Sequence, residues 1–97
     1  MTRTIHKYRI EAFENALKMP AGAQILTVHS QDSRVYIWAL IDKNSPIVKQ
    51  RTILMVATGD IIPEQFAGAK YIDTVFMLNG LVFHAFDAFE SDVGVQA

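Results

Sequence analysis

The chain has 97 residues, of which nine are basic and ten acidic, and its net charge is −1. A chain of this length forms one domain, and its charge balance excludes the strong electrostatic footprint of a duplex nucleic-acid binder. The sequence has no cysteine, which excludes disulfides and thiolate chemistry, and lacks the run of about 18 apolar residues that a membrane span requires. Because the N-terminus also has no apolar signal-peptide run, residues 1–97 are expected to be a single cytoplasmic domain without a membrane partner.

Apolar residues are abundant for a chain of this size. Hydrophobic residues make up 51% of the sequence and charged residues 20%, and the charged share is below the ~25% typical of soluble domains. Because a small domain has little interior to fill, we expect a second copy to cover part of the apolar surface. The protein is therefore predicted to be a homodimer or a higher oligomer.

The first predicted strand covers residues 4–10, where polar and apolar side chains alternate. Residues 10–19 allow two interpretations. The first is a short helix, although no convincing N-cap precedes it. The second is a turn followed by a short strand, Ala16 to Met19. The helical interpretation rests on Ile10, Phe13 and Leu17, which are apolar at the i, i+3, i+7 spacing of one helix face.

A β-hairpin is predicted where residues 25–30 and 35–41 flank a turn. A two-residue turn at Asp32 and Ser33 sets the register of this hairpin. One face is apolar and is expected to face the core; it carries Leu26, Val28, Val35, Ile37, Ala39 and Ile41. The other face is half polar and rich in aromatic surface; it carries Ile25, Thr27, His29, Tyr36, Trp38 and Leu40.

The middle of the chain contains a loop, a strand and a helical turn. Residues 42–48 include Pro46 and are predicted to be a surface loop. Residues 52–57 are apolar on both faces, which places this strand centrally or at an interface. Residues 63–67 begin with proline and are predicted to make one helical turn.

A second hairpin is predicted from residues 72–78 and 81–86. Asn79 and Gly80 between them are a strong hairpin signal, because a type I′ turn needs positive φ at both central residues. The register of such a two-residue turn pairs Phe76 with Phe83 and Val75 with His84.

The elements add up to one fold class. Residues 90–97 are polar, small and terminal, so we expect a loosely ordered tail. The remaining chain is predicted to be all-β or mostly β, an antiparallel meander of six or seven short strands with at most one or two short helical turns. Such a meander forms a small curled sheet, a sandwich or a barrel.

Neither a metal site nor an active site is indicated by the residue spacing. The histidines, His6, His29 and His84, are scattered singly, without the paired spacing of zinc ligands. Asp73 is a candidate for acid–base chemistry, because the predicted register places it opposite Phe86 on the face that also carries His84, and Asp60 is another. The sequence has no nucleophile elbow. We therefore predict a non-enzymatic protein with no catalytic residue, metal or cofactor.

The best ligand candidate is the half-polar face of the first hairpin. His29, Tyr36 and Trp38 lie there, with Arg34 nearby. Aromatic rings stack on nucleobases and a guanidinium pairs with phosphate, which is the chemistry of a nucleotide or a single-stranded nucleic acid. In the alternative interpretation, these rings pack against another strand or a second subunit.

A second candidate for ligand binding is the segment Thr58-Gly59-Asp60. It lacks the glycines and the lysine of a phosphate loop, so a turn at the end of a strand is the simpler interpretation. Its backbone N–H groups are nevertheless available to an anion if a short helix begins at Pro63.

Several runs of the chain together resemble a family of small, uncharacterised bacteriophage proteins, described as a domain of unknown function. The resemblance covers roughly residues 5–87, and its best motifs are the Trp-Ala-Leu and Leu-Val-Phe-His runs. It departs after Gly59, where Asp60 and Ile61 replace a histidine and a proline common in the family, so no role of that histidine carries over. The matching runs are Lys7-Tyr8, Met19 to Val28, Trp38 to Asp42, Ala57 to Gly59, Tyr71-Ile72 and Gly80 to Phe86.

The resemblance implies a phage-encoded accessory protein in the cytoplasm of a bacterial host, and a strand within residues 10–19. It implies no catalytic residues. Two functions are consistent with the residues and the resemblance. The first is a binder that acts against the host in counter-defence, by sequestering a small nucleotide signal or by blocking a defence protein. The second is a structural or interaction module for self-assembly or for docking to another phage protein.

Overall fold

Seven antiparallel strands in two sheets make up the fold. The computed structural model describes residues 2–93. One sheet has the strand order β1-β4-β3 and the other the order β2-β5-β7-β6, and neither closes into a barrel. The all-β antiparallel prediction is therefore confirmed. The strands are β1 (Arg3–Ile10), β2 (Glu14–Pro20), β3 (Gln24–Gln31), β4 (Arg34–Asp42), β5 (Val48–Ala57), β6 (Lys70–Phe76) and β7 (Val82–Asp92).

The main core lies between the two sheets. Ile37 of β4 and Ile53 of β5 are fully buried there, one from each sheet. Because alternate residues of a strand point to opposite faces, each of these strands directs one apolar row into this layer. The buried members of this core are Ile10, Val28, Val35, Ile37, Ile53, Val75 and Ala85.

The ambiguous segment after residue 10 is a corner followed by β2, so the helical interpretation is wrong. The physical reason is the buried side chain of Asn15, which forms hydrogen bonds with backbone groups of the corner that a helix would otherwise pair. Its Oδ1 accepts hydrogen bonds from the backbone N–H groups of Glu11 and Ala12. Its Nδ2 donates to the carbonyls of Ala12 and Ile53, which fastens the corner to β5.

The first hairpin, β3–β4, has the predicted turn and register. Asp32 and Ser33 have φ values of 53° and 65°, as a type I′ turn requires. One part of the predicted core face is wrong, because a β-bulge lies between Ile25 and Thr27. The bulge turns Ile25 towards the core and leaves Leu26 41% exposed.

The second hairpin, β6–β7, forms with a different turn from the one predicted. The N–H of Gly80 donates to the carbonyl of Met77, and the N–H of Met77 donates to the carbonyl of Leu81. Only Gly80 has positive φ in this turn, at 90°, so the loop has three residues and ends in a glycine bulge. The register therefore shifts by one residue, and His84 lies opposite Thr74 instead of Val75.

The central placement of the 52–57 strand is confirmed, because β5 lies between β2 and β7. Its outer side is covered by the predicted helical turn, which is a single 3₁₀ turn, Glu64–Phe66. Phe66 of this turn packs on Leu54 and Val56.

The C-terminal strand is longer than the sequence pattern indicates. β7 continues through Asp92, so it includes the first three residues of the segment expected to be a loose tail. Asp92 forms an ion pair with Lys49 of β5 there. Residues 94–97 lie outside the described residues.

Candidate functional site: an aromatic and basic sheet face

The outer face of the three-stranded sheet carries four of the seven residues predicted to bind a ligand. Val35 and Ile37 of β4 point into the core, so the residues between and beside them point outward. His29 and Arg34 are exposed and Tyr36 and Trp38 are half-buried, so this side of the sheet faces solvent. We call this surface the aromatic face; its outward residues include His29, Arg34, Tyr36 and Trp38.

Five side chains form a continuous cluster across this face. The ring centroids of Tyr36 and Trp38 are 6.0 Å apart, and those of His29 and Trp38 are 6.4 Å apart, both in edge-on arrangements. The Nζ of Lys7 lies 4.5 Å from the centroid of the Tyr36 ring and donates a 2.8 Å hydrogen bond to Oε1 of Gln31. The cluster therefore combines π surfaces with a cation held over one of them.

Strand β1 adds a basic row that sequence reasoning missed. Arg3, Lys7 and Arg9 point to the same side as the rings, and Lys7 lies opposite Trp38 while Arg9 lies opposite Tyr36. The alternation of residues 3–9 was visible in the sequence. The position of this basic row beside the rings was not visible in the sequence, because β1 pairs with a strand more than twenty residues away along the chain.

Charge is unevenly distributed between this face and the rest of the chain. The outward positions of β1, β3 and β4 carry four basic residues, Arg3, Lys7, Arg9 and Arg34, and one acidic residue, Asp42, for a net charge of +3. The rest of the sequence has five basic and nine acidic residues, a net charge of −4, and the two parts give the overall −1. The aromatic face is thus a basic surface on a weakly acidic protein.

The rings lie on an open surface and not in a pocket. Two cavities adjoin the aromatic face at its ends. One, of about 240 Å³, is lined in part by Arg9 and Arg34. The other, of about 330 Å³, is lined in part by Arg3 and Leu40. Neither is lined by the aromatic rings, so a molecule stacked on them would remain exposed on its far side.

The segment Thr58-Gly59-Asp60 belongs to the other sheet, and the structure does not bring it to the aromatic face. Asp60 accepts a hydrogen bond from the backbone N–H of Ala57, which closes the turn after β5. Thr58 contacts His84 instead of an aromatic ring of the face. The segment is therefore the end of a strand, as its composition indicated.

His84 is held within a chain of hydroxyl groups on the outer side of the four-stranded sheet. Its Nε2 is 2.8 Å from Oγ1 of Thr58, and its Nδ1 is 2.9 Å from Oγ1 of Thr74. The Thr74 hydroxyl is in turn 2.6 Å from the Tyr71 hydroxyl. Both ring nitrogens thus have partners within the chain, and this histidine does not meet His29, which lies on the outer side of the other sheet. Sequence reasoning missed the cluster because it predicted the wrong register.

A second polar cluster, around Arg51, is structural. Arg51 donates two hydrogen bonds of 2.9 Å to the carboxylate of Asp87 and a third to the carbonyl of Ala23. Glu90 lies 3.6 Å from the same guanidinium and also accepts the N–H of Gly22. The hydrogen bond to Asp87 raises the pKa of Arg51, and the cluster ties β5 and β7 to the turn before β3.

The second hairpin exposes a large apolar surface at its tip. Leu78 is fully exposed, Phe76 is 74% exposed and Leu81 is 51% exposed. We call these three residues the apolar tip. Its location is distinct from the aromatic face, because β6 and β7 belong to the other sheet.

Two further findings concern the described residues as a whole. Between residues 2 and 93, no helix is long and apolar enough to cross a membrane. The same residues contain no group of three or more histidine, aspartate or glutamate side chains placed to hold a metal ion.

Comparison with known proteins identifies a family but no characterised relative. No curated protein and no solved structure matches the chain. A family model described as "Domain of unknown function (DUF7352)" matches residues 1–94, which is nearly the whole sequence. On the strength of that match, the chain belongs to the DUF7352 family.

Proposed function

We propose that this protein is a non-enzymatic binder of nucleotide-type ligands, which it holds on the aromatic face. One observation carries the proposal: a cluster of three aromatic rings lies directly beside a basic row on an otherwise acidic chain. Rings offer stacking to a base, worth about 1–3 kcal/mol for each base, and the cations offer charge-assisted hydrogen bonds to phosphate.

The biological role that we propose is counter-defence. The resemblance to small bacteriophage proteins supports it, because a phage-encoded binder of this size can lower the free concentration of a nucleotide signal in the cytoplasm of a bacterial host. A binder of this kind needs affinity and abundance but no catalytic group. The role therefore agrees with a face built from rings and cations.

The experiment is a binding screen with purified protein. Cyclic nucleotides and ADP-ribose-type nucleotides are added singly, and the quenching of Trp38 fluorescence and the unfolding temperature are measured. A ligand at about 100 times its Kd stabilises the protein by roughly 2.7 kcal/mol. Absence of both quenching and stabilisation across the panel, and for oligonucleotides as well, would refute the proposal.

Two variants locate the site. Trp38→Ala removes a ring of the aromatic face and is expected to weaken binding by about 5- to 100-fold, the equivalent of one stacked base. The unfolding temperature is the readout for this variant, because it has no tryptophan. Phe76→Ala removes an exposed ring of the other sheet and should leave the affinity unchanged. Equal losses in both variants would show that the ligand binds elsewhere or that the effect is general.

The apolar tip favours a second function, a structural or interaction module for self-assembly or for docking to another phage protein. Leu78 and its neighbours expose apolar side chains that a monomer has no means of covering. The discriminating observation is light scattering of the free protein. Self-association without nucleotide binding would favour this function over the first.

A further inference from the structure

We propose that the ligand of the aromatic face is a single-stranded nucleic acid several nucleotides long, with its phosphates along β1 and its bases over β4 and β3. The inference rests on the proposed function and narrows it from nucleotide-type ligands to a polymer. It is carried by the length of the basic row, by the side-by-side order of charges and rings, and by the open shape of the face.

The basic row is long enough for several phosphates. Arg3 and Arg9 are six residues apart in a continuous strand, which corresponds to about 20 Å at ~3.3 Å per residue. Lys7 belongs to the same strand, and its Nζ extends over the Tyr36 ring to Gln31 of β3, where it makes an exposed hydrogen bond that a phosphate can replace. A mononucleotide could contact only part of this row, whereas a single strand could contact all three cations at once. Arg9 also pairs with Glu11 at 3.2 Å, but both side chains are about half exposed or more and are free to exchange partners.

Arg3 and Arg9 lie along β1 beside the strand that carries Tyr36 and Trp38, as phosphates lie beside bases in a nucleotide strand, and the Nζ of Lys7 reaches over Tyr36. Tyr36 and Trp38 are the direct cross-strand neighbours of Arg9 and Lys7, at the spacing of adjacent strands, about 4.8 Å. His29 lies one strand further, opposite Tyr36. A backbone that follows β1 therefore places successive bases over β4 first and β3 next.

The open shape of the face argues against a small ligand as the main occupant. Pockets for small molecules bury about 70–90% of the ligand surface, and the rings of the aromatic face do not line either adjoining cavity. Single-strand binders instead accumulate many exposed contacts, a groove or row of cations for the backbone and rings for the bases. This face provides both.

Charge also decides between competing occupants. The aromatic face of a second copy would bring a net charge of +3 towards the +3 of the first, so pairing of two aromatic faces is disfavoured. A duplex keeps its bases stacked inside, where Tyr36 and Trp38 cannot reach their faces. A single strand offers both the negative charge and the open base faces that this surface complements.

The test compares ligand length and salt dependence. Thymidylate as mononucleotide, dinucleotide, tetranucleotide and octanucleotide is titrated against the full chain at several salt concentrations. Isothermal titration calorimetry is the readout, because Trp38 is the single tryptophan and Trp38→Ala would give no fluorescence signal. The expected affinity rises with length up to the tetranucleotide or beyond. The logarithm of the binding constant should fall with the logarithm of salt at a slope near −2, which is about −0.7 for each of three phosphate contacts. A uridylate octanucleotide and a hairpin duplex, measured in parallel, distinguish RNA from DNA and single strand from double strand.

Charge variants test the path along β1. Arg3→Gln and Arg9→Gln should each reduce the magnitude of the salt slope by about 0.7. Trp38→Ala should lower the affinity for the octanucleotide by about 5- to 100-fold and leave the slope unchanged. Lys18→Gln, an exposed lysine on β2 of the other sheet, is the matched control and should change neither quantity.

The outcomes separate the two proposals. A mononucleotide that binds as tightly as the octanucleotide, with loss in Trp38→Ala, would overturn the polymer and leave the proposed function standing. If Arg3→Gln and Arg9→Gln leave the salt dependence of octanucleotide binding unchanged, the proposed path of the phosphates along β1 is overturned. No binding by any nucleotide would overturn both proposals. Length-dependent binding that is sensitive to the three variants and insensitive to Lys18→Gln would support both.

Discussion

Asn15 stabilises the corner between β1 and β2 through hydrogen bonds to the backbone. Its side chain is only 8% exposed, and it satisfies two backbone N–H groups and two carbonyls. Buried backbone groups of this kind need partners, because leaving one unpaired costs about 1–3 kcal/mol. One short polar side chain thus takes the place of a regular turn.

Asn15→Ala should therefore lower the free energy of unfolding by about 2–4 kcal/mol, since it leaves several buried partners unsatisfied. Urea denaturation followed by circular dichroism measures the loss. Asn44→Ala, at an exposed turn after β4, is the control and should stay within about 0.5 kcal/mol of the wild type. Equal stabilities of the two variants would contradict the role given to Asn15.

Tyr8 should make the free energy of unfolding depend on pH, with a sign that follows from its burial. Burial raises the pKa of its hydroxyl, so the folded state holds this proton more tightly than the unfolded state does. The contribution of Tyr8 to the free energy of unfolding is complete below the ordinary tyrosine pKa of about 10 and is lost as the pH rises through the folded pKa. We expect the stability difference between the wild type and Tyr8→Phe to shift in favour of the variant at alkaline pH, measured by denaturation across that range. A difference that is independent of pH would contradict this.

At the scale of elements, the turn of the second hairpin sets its register through one backbone position. Gly80 has a φ of 90°, which an L-residue reaches only at a cost of about 1–2 kcal/mol. Gly80→Ala should therefore destabilise the protein by that amount in denaturant unfolding. Gly68→Ala provides the matched control: its φ is not in the left-handed region, and an added Cβ meets open space. It should be neutral or slightly stabilising, because alanine restricts the unfolded chain.

The two hairpins also show what a single sequence can and cannot predict. The two residues Asp32 and Ser33 separate strands whose alternation fits a two-residue turn, and this hairpin has the predicted register. Asn79-Gly80 suits both a type I′ turn and a type I turn followed by a glycine bulge, and only contacts elsewhere in the fold select between them. The bulge beside Leu26 likewise has no local signature.

The part of the candidate site that lies within one hairpin was predictable from the sequence. The rings of β3 and β4 share a hairpin, so their common face followed from alternation and turn length. The basic row of β1 depends on a pairing between distant strands, and alternation alone cannot specify which strand becomes the neighbour. The part of the site that provides most of its charge was therefore the part that sequence reasoning missed.

The molecule as a whole separates a charged surface from an apolar one. Like charge disfavours pairing through the aromatic face, whereas the apolar tip has no such barrier. We expect self-association through the tip, so Leu78→Asp should shift the protein towards the monomer in multi-angle light scattering. Trp38→Ala is the control and should leave the assembly state unchanged. A wild-type protein that stays monomeric at high concentration would contradict the prediction.

The position of β1 at the border of its sheet has a consequence for solubility. A border strand presents unpaired N–H and C=O groups along one side, and these can template the addition of a strand from another molecule. Arg3, Lys7 and Arg9 make that approach unfavourable, since an incoming copy of β1 would bring the same three cations. Neutralising the row, whether by substitution or by a bound polyanion, removes this protection. The same side chains would then govern both what the sheet attracts and whether it aggregates.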